Sequence, residues 1–248
     1  MFSRNPKDRI ETGEMPVVSR TEEAPVRPER GRTAGRNLTL FKSLVLAVLL
    51  AIMLYGMLDR GLFGTERWLP VAVAILGLLF ISLFIIEYFA DVPRIAWVLV
   101  GLLTVLAAVK GLSLTWSISR TETVQELLRS SMYLATFVLA AASLSSRRLV
   151  GPFIDGLNLV AGVVAGYGML QKVRPVEYPS NASDRVSVGS TLEYASTVAV
   201  VLGMGIVLGL ARMTQLNNPI VRGIYAALIL VFGTVFYLTF SRGGMLAL

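Results

Sequence analysis

The chain has 248 residues, of which 54% are hydrophobic and 16% charged, with a formal net charge of +7. A soluble domain carries roughly 25% charged residues; here the mean hydropathy of +0.67 comes from long unbroken apolar runs, which exclude an ordinary soluble domain and predict an all-α, polytopic transmembrane helical bundle. Cys and His are both absent, so disulfides, thiolate metal sites and the commonest general base are excluded, and the basic balance is assigned to residues flanking membrane spans, with no nucleic-acid partner expected.

Residues 1–37, from Arg4-Asn5-Pro6-Lys7 to Arg30-Gly31-Arg32, are polar, Pro-containing and of mixed charge. They offer too few apolar groups to offset ordering entropy, which predicts a disordered basic arm. A secretory signal would have a short charged region and a small-residue cleavage site, so the first span is expected to anchor the chain instead. The membrane domain, 38–248, reads as seven spans: Leu38–Leu58, Trp68–Tyr88, Ile95–Leu112, Leu127–Leu144, Leu149–Leu170, Leu192–Ala211 and Ile220–Phe240. Each is close to the roughly 20 residues that cross about 30 Å of hydrocarbon. An eighth span starts at Gly243, with too little chain after it to cross.

More basic residues fall inside if the N-terminus is cytoplasmic, so the positive-inside rule predicts that orientation. The loops at 112–126 and 171–191 and the turn Ser241-Arg242 then face outward. Within Asn181-Ala182-Ser183-Asp184-Arg185-Val186-Ser187-Val188-Gly189-Ser190-Thr191-Leu192, an Arg precedes a hydroxyl-rich stretch that leads into a helix. A helix N-terminus attracts anions, and Arg185 adds a planar bidentate donor suited to phosphate. Ser190 and Thr191 are placed either to cap that helix or to donate to a phosphate oxygen. The alternative is an ordinary capped helix beside an interfacial Arg. Arg242 likewise reads as a snorkelling residue that ends the seventh span, or as a second anion ligand beside Ser241, Gly243 and Gly244.

Asp155 and Asn158 share one face of the fifth span, and the carboxylate, close to the inner end, is expected either to reach water or to pair with Arg147 or Arg148. Gly162-x-x-x-Gly166 and Gly205-x-x-x-Gly209 are expected to be close helix contacts. Glu87, Lys110 and Arg129 sit near span ends as snorkelling or loop-pairing groups, and Glu126 and Arg129 have the i, i+3 spacing of an ion pair.

Three segments, taken together, resemble the O-antigen ligase and polymerase superfamily. The loop Leu112-Ser113-Leu114-Thr115-Trp116-Ser117-Ile118-Ser119 is similar to a family stretch with a Trp-Ser pair before a helix. Arg185-Val186-Ser187-Val188-Gly189-Ser190-Thr191-Leu192-Glu193-Tyr194-Ala195-Ser196 resembles the family's Arg followed by Gly-Thr-Leu, and Phe240-Ser241-Arg242-Gly243-Gly244 resembles its Ser-Arg-Gly turn. The chain departs from the pattern at Glu193, Ala195 and Ser196, where the family usually has Gly, Pro and Asn.

The resemblance implies a multi-pass glycosyltransferase of the bacterial cytoplasmic membrane. Such an enzyme moves glycan from an undecaprenyl-diphosphate carrier to a saccharide hydroxyl on a lipid-linked or other glycan acceptor at the outer face. Its partners are these substrates and membrane lipids, and no cofactor or metal is implied. Arg185 and Arg242 would hold the diphosphate leaving group, where negative charge develops. The family's general-base His lies on a large external loop after the helix that starts near Ser241, so this chain is expected to carry the leaving-group side of the enzyme and to transfer no glycan alone. A transporter or flippase of lipid-linked saccharide, or a membrane scaffold, are the competing readings.

Overall fold

The structure, a computed structural model, describes residues 30–62, 64–178, 188–192 and 194–239, with side chains from Arg36 onward. The bundle expected from the apolar runs is present as seven helices, all long and apolar enough to cross a membrane. They are α1 (Arg30–Leu58), α2 (Thr65–Leu83), α3 (Arg94–Ser113), α4 (Arg120–Leu144), α5 (Arg147–Val173), α6 (Ala195–Gln215) and α7 (Pro219–Leu238). No strand occurs among the described residues. The shortest, α2, has 19 residues, about 28 Å at 1.5 Å per residue, which matches the hydrocarbon thickness.

Among the boundaries that differ from the expectation, those of the first two spans have clear physical reasons. Helix α1 starts at Arg30, so the last residues of the expected disordered arm, 30–37, are helical; they run without a proline into an apolar span and extend its hydrogen-bond ladder. The second span breaks after Leu83, and Ile86–Tyr88 form a separate 3-10 turn. There Tyr88 turns inward and its hydroxyl donates to the Leu139 carbonyl at 2.8 Å, with Ser143 Oγ 2.6 Å away.

The connections define two ends. At one lie the turn Arg60–Leu62, the 114–119 loop and the 3-10 turn Ser190–Leu192; toward this end Thr65 joins α2 to Gln125 of α4, and Lys110 joins α3 to Glu126 of α4. At the other lie the 84–93, 145–146 and 216–218 connections, where Lys42 donates to Ser145 at 2.9 Å. Here Asn218 caps α7, its Oδ1 accepting from the Ile220 amide at 2.9 Å, with Pro219 as the first helical residue. The chain is pre-set to start a helix there.

Two buried clusters divide the bundle. One joins α1, α2 and α4 through Val45, Leu49, Ile75, Ala135 and Leu139. The other joins α5, α6 and α7 through Ala161, Val164, Val198, Leu202 and Phe232. Lipid tails are as apolar as these side chains, so close packing of small residues has to hold the helices together. A Cβ at Gly205 would stand 3.0 Å from Phe232 and 3.2 Å from Ala161, and one at Gly209 3.2 Å from Ile229. The Gly205–Gly209 contact is therefore present. The other expected pair is not: a Cβ at Gly166 would meet no described atom within 4 Å, and one at Gly162 only Leu228 at 3.8 Å. Gly156 and Gly168 make the close approaches on α5 instead, against Leu50 of α1 and against Val188 and Val235. Helix α3 packs on α4 but buries only Ala96 and Ala107, so most of its surface is left for lipid.

Candidate functional site

Of the residues the sequence singled out, Arg185, Ser241, Arg242 and Gly243 lie outside the described residues. Ser190 and Thr191 are buried in the 3-10 turn Ser190–Leu192. Neither caps α6, which starts at Ala195 after Tyr194. Ser190 adopts a left-handed backbone (φ 48°), an uncommon conformation for a residue with a side chain. It is held by Gln171 of α5, whose Oε1 accepts from the Ser190 amide at 2.8 Å and whose Nε2 donates to its carbonyl at 3.3 Å. The Ser190 hydroxyl donates to the Val164 carbonyl at 2.6 Å, so its proton is committed to the fold. Thr191 Oγ1 is buried without a partner among the described residues.

This turn fixes a junction. The Val188 amide donates to the Leu238 carbonyl at 3.3 Å, tying the segment before α6 to the end of α7. Arg185 precedes Val188 by three residues and Arg242 follows Leu238 by four. The structure therefore brings together the two attachment points of the segments that carry these arginines.

Beside the junction lies a cavity of about 640 Å³, bounded by α1, α2 and α4 and closed by Phe153, Leu192 and Thr197 from the other half of the bundle. Its size is within the 300–1,000 Å³ of small-molecule sites. Apolar side chains dominate the walls, among them Leu49, Ile52, Met53, Met57, Val71 and Met132. Unbranched thioethers adapt to irregular apolar ligands. Arg129 is the charged residue in the lining. It sits in the half of α4 nearer the end of the bundle that holds Ser190–Leu192, while Ala140 and Phe153 line the chamber toward the other end.

The guanidinium of Arg129 lies 5.1 Å from the centre of the Trp68 ring, within cation–π range. Its Nη1 donates to Glu126 Oε1 at 3.0 Å, and the other Glu126 oxygen receives Lys110 Nζ at 3.2 Å. The expected Glu126–Arg129 pair is thus present. What the sequence did not show is that Arg129, beyond snorkelling or pairing with a loop, lines an apolar chamber. Trp68 and Arg129 are far apart in the chain, and only the packing of α2 on α4 brings them together.

The opposite half holds a different polar group. Arg212 of α6 donates to both oxygens of Asp155 through Nε at 2.7 Å and Nη2 at 3.0 Å, and the Tyr225 hydroxyl of α7 donates to Asp155 Oδ1 at 2.5 Å. This corrects the expected pairing with Arg147 or Arg148. Both of those lie in the first turn of Asp155's own helix, two turns away, whereas Arg212 faces it directly across the α5–α6 contact. With three donors on one carboxylate, the group ties three helices together. In the half built on α1, α2 and α4, Lys42 is buried under the Tyr88 ring at 5.9 Å and lies 3.9 Å from Asp91. Burial pushes the Tyr88 phenol up to about 12. No group of metal-ligating side chains occurs among the described residues.

Compared with protein-family models, with curated proteins and with solved structures, the chain matches none.

Proposed function

We propose that this protein binds an undecaprenyl-diphosphate-linked glycan and serves as the donor side of a membrane glycan ligase or polymerase. The observation that carries the reading is the apolar chamber with Arg129 as the charged residue in its wall. An amphiphile with an isoprenoid tail and a phosphate head is complementary to both parts. The tail segment nearest the head fills the chamber, and the diphosphate meets Arg129, whose planar fork suits phosphate oxygens. The junction of Val188 with Leu238 supports it, because these are described residues three and four positions in sequence from Arg185 and Arg242. With the N-terminus cytoplasmic, this end of the bundle faces outward, where the acceptor glycan is presented.

In the proposed transfer, the acceptor oxygen attacks the anomeric carbon and the bond from that carbon to the diphosphate oxygen breaks. The diphosphate leaves with the bonding electrons, and the acceptor proton passes to a base. The arginines stabilise the charge that grows on the leaving group.

A photoreactive, benzophenone-bearing undecaprenyl-diphosphate glycan tests the reading in native membranes. It should label peptides containing Met53, Met57 and Met132 well above those of the lipid-facing α3 surface around Leu102 and Leu106. Equal labelling of both regions would overturn it. A flippase would label the same chamber, but replacing both Arg185 and Arg242 by Ala in a transfer-competent system lowers donor turnover only for the transferase.

A further inference from the structure

The chain Lys110–Glu126–Arg129 has a feature that simple binding does not require. One carboxylate bridges two cations on different helices, Lys110 near the end of α3 and Arg129 on α4. Resting on the reading above, we propose that Glu126 is a resident counter-anion: the lipid phosphate displaces it from Arg129, and Lys110 retains it.

The arrangement has the parts such an exchange needs. Glu126 is about half exposed and Lys110 and Arg129 about one third exposed, so the carboxylate can rotate without entering the apolar chamber. It engages Arg129 through Nη1 alone, which leaves the other guanidinium donors for a ligand. Trp68 lies under the guanidinium and keeps it in the chamber wall when the carboxylate departs. Before lipid binds, Glu126 neutralises a cation at the border of hydrocarbon, where an unpaired charge is costly. After exchange, Lys110–Glu126 and Arg129–phosphate are two separate pairs.

The cluster carries one net positive charge in either arrangement, so it attracts an anion and offers nothing to a neutral lipid. The carboxylate also competes with the phosphate, which weakens binding and speeds release. For a donor site this has a use: the spent diphosphate carrier has to leave.

The test is binding of radiolabelled undecaprenyl phosphate to the purified protein in detergent, with four variants. Glu126→Gln removes the competing charge a few ångströms from the phosphate and should tighten binding about three- to tenfold. Lys110→Ala leaves Glu126 to Arg129 alone and should weaken binding at least threefold. The double variant Lys110→Ala/Glu126→Gln should recover most of that loss, because without a carboxylate to hold, Lys110 has little left to do. A merely structural Lys110 would give no such rescue.

If Glu126→Gln binds no more tightly than the unmodified chain, or the double variant shows no rescue, the counter-anion role is overturned. Arg129→Ala separates this from failure of the underlying reading. Loss of binding in Arg129→Ala leaves the phosphate site standing whatever Glu126 does. Unchanged binding in Arg129→Ala overturns the site and the counter-anion together.

Discussion

Removing either partner of the Asp155–Arg212 pair should reveal a coupling that holds α5, α6 and α7 together. In soluble proteins a hydrogen bond to a charged group is worth about 1.5–3 kcal/mol net. Between membrane helices, measured couplings average about 0.6 kcal/mol and reach about 1.7. The Asp155 side chain is 44% exposed and that of Arg212 19%, so the upper soluble figures do not apply. Two parallel guanidinium–carboxylate bonds place the expected coupling near the membrane maximum, at about 1.5 kcal/mol, or roughly tenfold in the unfolding equilibrium. Arg212→Ala should cost more than Asp155→Ala. It strands a carboxylate and also removes the guanidinium that packs over α5, where a Cβ at Gly151 would stand 3.0 Å from Arg212 Nη1. The assay is reversible unfolding in mixed micelles by added SDS, followed by circular dichroism, on the two single variants and the double. Coupling below about 0.3 kcal/mol would refute the argument, since the two side chains would then be acting independently.

Two further substitutions test the packing argument at glycines. Gly205→Val, which drives methyl groups into Phe232 and Ala161, should lower thermal stability by about 2 kcal/mol or more. Gly166→Ala, with open space around it, should be neutral or stabilise by up to about 1 kcal/mol through helix propensity; thermal melting in detergent compares them. Tyr88 gives a pH dependence. Its phenol is raised from 10.0 to about 12 in the fold by burial, so folding favours the neutral form. That stability is complete below pH 10 and is lost as pH rises toward 12. Tyr88→Phe should therefore flatten alkaline unfolding in that window while costing about 1 kcal/mol at neutral pH through the lost bond to Leu139. An unchanged alkaline profile would show that Tyr88 is not the group responsible.

The spans are legible in the sequence because hydropathy reports which residues meet lipid, and it does so residue by residue. Helix ends are less legible, since hydropathy marks the border of hydrocarbon and not the last hydrogen bond. Helix α4 is expected from Leu127 but begins at Arg120, its polar first turns continuing past that border. The i, i+3 pair Glu126–Arg129 is readable from spacing. Partners across helices are not. The arginines nearest Asp155 in sequence are its expected partners, but Arg212 and Tyr225 reach it from α6 and α7. Ser190 and Thr191 have the residue types of a helix cap, yet α6 begins three residues beyond the turn that holds them, and Gln171 has no local signature at all.

The chamber itself raises the question of what makes it selective. In water an apolar void of this size would be costly, and the hydrophobic effect would favour filling or closing it. In a bilayer, a tail that enters the chamber leaves an environment equally apolar, so tail transfer contributes little net free energy. Any lipid chain can therefore occupy the chamber, and selectivity has to come from the head group. The structure supplies one excess positive charge there, from Lys110, Glu126 and Arg129 together. It follows that the head should matter more than the tail. Undecaprenyl phosphate should compete for the site at least about tenfold better than undecaprenol, a difference of about 1.4 kcal/mol. Raising salt should narrow the gap, since the cluster is partly exposed and ions screen it. Shortening the isoprenoid while keeping the phosphate should cost less than replacing the phosphate by hydroxyl. Competition against radiolabelled undecaprenyl phosphate measures all three. If the alcohol competes as well as the phosphate at low salt, the chamber is a space that annular lipid fills, and Arg129 selects nothing.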